Sequence, residues 1–160
     1  MKTEFRRARK PDELRSLEIF DRKAFHQYPD DWFSREDWKA FDAWWLLVDN
    51  RKIGCCAFEH QRATLYIAST GILPGFQGQG FGDLMKCWQI AYARQHKFKR
   101  IVTNSRKSNK PMIALNRKFG FKVLRTLPNY YQRPREATVV MALHLYQLPA
   151  FTGSSRTSSP

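Results

Sequence analysis

The stretch from Leu73 to Met85, LPGFQGQGFGDLM, puts four glycines into eight positions and then runs into a helical pattern. Glycine without a Cβ admits left-handed backbone and lets a ligand come up against the main chain. The residues before it, ATLYIAST, read as a strand. The expected unit is therefore strand, glycine-rich turn, helix. The amides of Gly78, Gly80 and Gly82 then fall at a helix N-terminus, where unpaired N–H groups and the helix dipole attract an anion.

Two familiar phosphate loops do not fit. A Walker loop requires Lys-Ser/Thr after its last glycine, but Phe81 and Gly82 follow Gly80. A dinucleotide fingerprint requires G-x-G-x-x-G and an acid about 20 residues on. Asp83 and Met85 stand where its third glycine belongs, and no acid occurs between Asp83 and Glu136.

Charge is segregated along the chain. The 160 residues carry a formal net charge of +14. Residues 1–59 hold 12 basic and 12 acidic side chains; residues 60–160 hold 16 basic ones and two acids, Asp83 and Glu136. All the excess lies in the part that carries the glycine loop, which favours an anionic ligand, an acidic acceptor or nucleic acid. No apolar run reaches a membrane span, and the polar, basic start has no secretory h-region. Cys55, Cys56 and Cys87 have neither zinc nor disulfide spacing and read as free thiols of a cytoplasmic protein. On a strand, adjacent Cys55 and Cys56 point to opposite faces.

Along the chain, TEFRRAR reads as a first strand. KPDELRSLEIFDRKAFHQY reads as a helix with Pro11 in its first turn, an apolar stripe of Leu14, Leu17, Ile19 and Phe20, and Pro29 at its end. SREDWKAF is a short helix capped by Ser34. Residues 43–70 read as a three-stranded meander with turns at 49–52 and 59–62, and Trp44 and Trp45 as sheet residues. After the loop, Leu84, Trp88, Ala91, Tyr92 and Gln95 trace one helical face. RIVTNS is a strand. NKPMIALNRKFGF is a helix capped by Asn109 and stopped at Gly120. KVLRTL and TVVMALHLY close the fold as strands, with Tyr130 and Tyr131 between them. One domain is expected over 1–148, with a disordered tail at 149–160.

Gln77-Gly-Gln-Gly80-Phe-Gly82 resembles the Q/R-x-x-G-x-G/A motif of the GNAT superfamily of acetyl-CoA-dependent N-acetyltransferases. The run from Asn109 to Phe121 resembles that superfamily's later helix, which ends in Gly-Phe, and the order of elements is similar over roughly residues 3 to 146. The resemblance implies an α/β (α+β) fold. Its central sheet is mixed and mostly antiparallel, with six to seven strands, a splay between the fourth and fifth, and helices on both faces. It implies transfer of acetyl from acetyl-CoA to a primary amine, with no metal. The transfer is expected to be direct, with no acetyl-cysteine, because Cys55 and Cys56 lie on the strand before the cofactor strand and Cys87 lies inside a helix. The cofactor is expected on Ile72, Leu73, Gln77, Gly78, Gln79, Gly80, Phe81, Gly82, Asn109, Met112 and Asn116. The acceptor is an acidic protein or a small molecule, and the protein a monomer or homodimer acting away from membranes. The alternatives are a non-catalytic acyl-CoA binder and a basic nucleic-acid or ribosome-binding module, the latter motivated by the cations of residues 97–125.

The sequence departs from the family's usual acid–base pair. Many relatives carry a glutamate on the fourth strand, but ATLYIAST has no carboxylate. Many place a tyrosine where Asn116 stands. An extended strand from residue 60 to 72 covers roughly 40 Å, which puts Glu59 and His60 out of reach of the thioester. The catalytic candidates are therefore Tyr66, Thr70, Asn116 and Tyr130, with Ser69, His26, Tyr28, Asp30, Asp31, Glu36 and Tyr131 as neighbours.

Overall fold

The computed structural model describes residues 1–146. The expected end of the domain at 148 and the tail at 149–160 lie outside the described residues. The elements are β1 (Thr3–Arg7), α1 (Leu14–Ala24), α2 (Arg35–Ala40), β2 (Asp42–Val48), β3 (Arg51–Gln61), β4 (Thr64–Ile72), α3 (Phe81–Gln95), β5 (Arg100–Arg106), α4 (Lys110–Lys118), β6 (Lys122–Gln132) and β7 (Arg135–His144). The strands form one seven-stranded sheet in the order β1-β2-β3-β4-β5-β7-β6. Every neighbouring pair is antiparallel except β4–β5. This is the mixed sheet expected from the sequence.

Two-residue alternation along the strands builds a core on each side. One holds Leu14, Leu17, Phe20, Trp38, Trp45 and Cys55, beneath α1 and α2. The other holds Cys56, Phe58, Leu65, Ile67, Met85, Tyr92, Ile113 and Met141, beneath α3 and α4. Cys55 and Cys56 thus face opposite ways, as their adjacency requires. The β2–β3 turn has Asp49 and Asn50 both at positive φ, 48° and 66°. These residue types tolerate that conformation, and it matches the twist of a hairpin.

One irregularity creates the site. Ala57 pairs with Ser69 and Phe58 with Ile67, so Ala68 is an extra residue in β4. The parallel ladder to β5 ends at Ile67↔Thr103, while β5 stays paired with β7 as far as Arg106↔Thr138. A bulge bends and re-aims its strand. Here the bend falls where β4 parts from β5, giving the expected splay.

Several local expectations are corrected. α1 spans Leu14–Ala24; Pro11 precedes it and Pro29 opens a 3-10 turn instead of ending the helix. Tertiary bonds take the chain out of the helix: Asp21 accepts the Phe33 N–H at 2.7 Å, and Trp32 Nε1 donates to Phe25 O at 2.8 Å. Ile19 is exposed. α2 is capped as expected, with Ser34 and Asp37 bonding reciprocally. The buried face of α3 is Phe81, Met85, Gln89 and Tyr92, with Lys86 and Ala93 beside it, whereas Ala91 and Gln95 are exposed. Polar Lys86 and Gln89 face the sheet, and an apolar count passes over them. β6 and β7 are longer than expected, so Tyr130 and Tyr131 belong to the end of β6.

Candidate active site

A cavity of about 320 Å³ opens at the splay. Its walls come from both edges of the gap (Tyr66, Ser69 and Thr70 on β4; Asn104, Ser105 and Arg106 on β5), from Asn109 and Met112 of α4, and from Asp30, Asp31 and Phe33 between the first two helices. Tyr130 and Tyr131 close one side and Glu59 another. Three of the four catalytic candidates, Tyr66, Thr70 and Tyr130, meet here. Asn116 does not: it is fully buried among α4, Phe121 and Met141, its Nδ2 3.8 Å from Met141 Sδ and its Oδ1 without a partner. His26 and Glu36 are exposed and line no part of the cavity.

Glu59 corrects an expectation. It is the register partner of Tyr66, and both alternate away from the core residues Phe58 and Leu65, so they share the α1–α2 side. The roughly 40 Å separation applied to the end of β4 near Ile72, whereas the cavity reaches back to Tyr66. Glu59 Oε2 accepts from Gln61 Nε2 at 3.1 Å, and no cation pairs with Glu59 among the described residues. His60, one residue on, faces the other way and bonds Asp42 and Tyr92 at 3.1 Å.

A polar network crosses the gap. Tyr66 Oη donates to Asn104 Oδ1. Asn104 Nδ2 donates to Thr138 Oγ1 at 3.0 Å, and Thr138 Oγ1 donates to Ser105 O at 3.1 Å. Burial pushes the Tyr66 hydroxyl far above the usual phenol range, and that of Tyr131 upward too. Thr70 Oγ1 accepts from Gln89 Nε2 at 2.9 Å, which leaves its own proton to donate elsewhere.

Arg106 organises the α1–α2 side of the cavity. It is 4% exposed, bonds Asp31 and Glu136 at 3.3 Å, and donates to Pro134 O at 3.2 Å. Its guanidinium lies 4.0 Å from the Tyr131 ring and 4.6 Å from that of Tyr28. Asp30 accepts the N–H groups of Gln132 and Arg133 at 2.6 and 2.9 Å and the Arg133 side chain at 2.8 Å. Those bonds hold the Asp30 carboxyl below its ordinary range. Burial raises that of Asp31, with Arg106 opposing. Residues 28–31 are thereby latched to the β6–β7 hairpin.

The glycine loop has the geometry of a phosphate cradle. Gly78 and Gly80 sit at φ +74° and +88°, and Gly80 opens the 15-residue α3 with no side-chain cap, leaving first-turn N–H groups to solvent or ligand. A Cβ built at Gly75, Gly78 or Gly80 meets no atom within 4 Å, so the space over the loop is open. Gln77 and Gln79 fold back onto Ile72 O and Gly75 O at 3.0 and 3.1 Å and brace the turn. Leu73 N–H is taken by Ile53 O of β3 at 2.9 Å. By ladder alternation, Ile72 N–H then faces the gap. Asn109 caps α4 through the Met112 N–H at 3.3 Å.

Glu59, Asn104, Arg106 and Gln89 are the site residues that sequence reasoning missed. Counting back from the loop in steps of two does not find the Tyr66–Glu59 pair, because the extra residue Ala68 shifts Tyr66 to the face opposite Thr70.

Comparison with known proteins bears on the fold and the family. A ribosomal protein bS18 alanine N-acetyltransferase from Haemophilus influenzae is 34% identical over 105 residues, covering 62% of this chain and 70% of that protein. Among solved structures, the ribosomal-protein-S18-alanine N-acetyltransferase from Escherichia coli superposes with a TM-score of 0.81 at 18% identity, covering 94% of this chain and 98% of that one. A Bacillus subtilis acetyltransferase solved in complex with CoA gives 0.72 at 17% identity, covering 91% and 100%. The model of the acetyltransferase (GNAT) family matches residues 12–121, and the chain belongs to that family.

Proposed function

We propose that the chain moves acetyl from acetyl-CoA directly to the α-amine of a polypeptide that enters on the α1–α2 side of the splay. The observation that carries this is one cavity, open between β4 and β5, with the uncapped start of α3 at the end of β4 and an unpaired carboxylate, Glu59, on the acceptor side. A polypeptide acceptor is supported by the relatives, two of which are named as alanine N-acetyltransferases of a ribosomal protein.

The residues present fit coenzyme A. The amides from Gln77 to Gly82 would hold the pyrophosphate, Phe81 and Gly82 contributing from the first turn of α3. Ile72 N–H would pair with the pantetheine arm, while Asn109 and Met112 would flank it from α4. Leu73 and Asn116 have their polar groups turned elsewhere and act by holding β4 and α4 in place. Bound acetyl-CoA supplies an acyl group already activated as a thioester.

What the chain itself must do is modest. Glu59 takes a proton from the acceptor ammonium, since only a neutral amine is nucleophilic. Tyr66 and Asn104 fix the floor beneath the incoming nitrogen. The Thr70 hydroxyl, turned by Gln89, is free to donate a hydrogen bond where negative charge grows. Positioning of two substrates supplies much of the rate.

The test is twofold. Acetyl-CoA should raise the melting temperature by binding the native state, and an alanine-led peptide should release CoA thiol. Gly80→Glu should abolish the thermal shift while far-ultraviolet circular dichroism stays unchanged. A folded Gly80→Glu protein that binds normally would remove the loop from the site. Thermal shift without thiol release from any amine would favour the non-catalytic acyl-CoA binder.

A further inference from the structure

β6 is the last strand of the sheet, and one of its backbone edges has no neighbour. Of its eleven residues only Tyr131 is buried. Edge strands are commonly protected by lysine, proline and bulges. β6 has all three: Lys122, Pro128 and register breaks at 123–125 and 127–131. Those devices do not account for its apolar side chains. Val123, Leu124, Leu127 and Tyr130 are 42%, 44%, 37% and 52% exposed, four of the seven large apolar residues exposed among the described ones.

The strand also has a direction. Its C-terminal end, Tyr130 and Tyr131, forms a wall of the cavity. From there β6 leads away for roughly 26 Å to Lys122. Lys122, Arg125 and Leu127 pair with Ala142, Val140 and Thr138, so they share the sheet face that carries Tyr131, paired with Glu136. Lys122 and Arg125 have no ion-pair partner among the described residues, and no acid occurs in the sequence between Asp83 and Glu136.

We infer that β6 is a docking strand for the acceptor polypeptide itself: an extended segment bearing acidic and apolar residues lies along it, with its N-terminus delivered past Tyr130 into the cavity. This rests on the acetyl-transfer reading above and adds where the acceptor lies and what its chemistry is. The cations complement carboxylates, the apolar side chains take aliphatic ones, and the free edge offers main-chain hydrogen bonds. A second copy of this chain would set Lys122 and Arg125 against their own kind. A nucleic acid would use the cations but leave the aliphatic side chains and strand edge unused.

The experiment measures CoA release with alanine-led peptides of one short length and one long length. The short peptide is a tripeptide that stays near the cavity and cannot reach Lys122 or Arg125. The long peptides, of about ten residues, carry Glu and Leu, Lys and Leu, or Gly and Ser beyond the third position. The Glu–Leu peptide should show a kcat/KM about five- to tenfold above the Gly–Ser peptide, the effect of a few exposed ion pairs. The gain should lie in KM and shrink to its apolar part near 1 M salt, where the Debye length is about 3 Å and the ion pairs are screened. The Lys122→Glu/Arg125→Glu double variant should lose the gain and leave tripeptide turnover and acetyl-CoA affinity unchanged. Leu127→Ser should lose part of it.

Equal kcat/KM for all long peptides, with the tripeptide turned over, would overturn the docking strand and leave the activity standing. No transfer to the tripeptide either would remove both. Dimerisation abolished by the double variant, or RNA binding abolished by it with no effect on peptides, would assign β6 to another copy or to nucleic acid and overturn the inference.

Discussion

Glu59 on β3 stands directly across the ladder from Tyr66 on β4, and Tyr66 reaches over the gap to Asn104 on β5. A carboxylate without a cation and a phenol with a fixed partner thus sit side by side on the α1–α2 wall of the cavity. Glu59→Gln is expected to lower kcat about 10²-fold, the usual yield of a positioned base, with acetyl-CoA affinity unchanged. Glu59→Asp should recover part of the loss. Tyr66→Phe should cost about 1–2 kcal/mol of barrier by leaving Asn104 Oδ1 unmet. Because burial raises the Tyr66 hydroxyl so far, its removal should leave the alkaline side of the pH–rate profile unchanged in shape. A Glu59→Gln enzyme with full kcat would show that the proton leaves by another route.

Much of this was legible before any coordinates. The glycine loop and the order of elements follow from local chemistry that acts within a few residues: positive φ at Gly78 and Gly80, the Ser34–Asp37 capping box, the Asp49–Asn50 turn. The splay was expected from the family resemblance alone. Glu59 was not legible, because its relation to Tyr66 depends on hairpin register, and a single bulged residue, Ala68, resets which side chains share a face. Arg106 was hidden for a different reason. In sequence it is one cation among many, and only the fold brings Asp31, Glu136, Tyr28 and Tyr131 around it.

Arg106→Leu should destabilise the fold by about 1–3 kcal/mol, since it strands two partly buried carboxylates, Asp31 and Glu136, without their charge-assisted hydrogen bonds. Arg106→Lys keeps the charge but loses the planar stack on Tyr131 and the forked bonds. Its Tm should fall less, and residues 25–34 should become the first site of limited proteolysis. Digestion in that segment at the wild-type rate would show that the latch does not depend on the guanidinium.

Asn116 buries an amide whose Oδ1 has no partner and whose Nδ2 meets only sulfur. A buried polar group left unmet costs about 1–3 kcal/mol, whereas an apolar group of similar shape does not. Asn116→Leu is therefore expected to hold or raise Tm and to keep the KM for acetyl-CoA within about twofold, a change below ~0.5 kcal/mol. A large rise in that KM with stability intact would mean that α4 shifts on cofactor binding and brings Asn116 into contact.

Asp21 gives stability a pH dependence with an unusual sign. It is 2% exposed near the end of α1, and burial raises its carboxyl to about 7, against which the Phe33 N–H bond is a smaller opposing effect. A carboxyl whose folded pKa lies above the unfolded one binds its proton more tightly in the native state. Between about pH 4 and 7 the unfolded chain has lost that proton and the native one keeps it, so this group's contribution falls as pH rises and levels off above about 7. The difference amounts to roughly 4 kcal/mol at most, from 1.36 kcal/mol per pH unit. Asp21→Asn keeps an oxygen for the Phe33 N–H and has no proton to lose. It should raise Tm at pH 8 and have little effect at pH 4. Equal shifts at both pH values would show that Asp21 is not protonated in the native protein at neutral pH, and that the Phe33 bond alone governs how α1 gives way to the loop over the cavity.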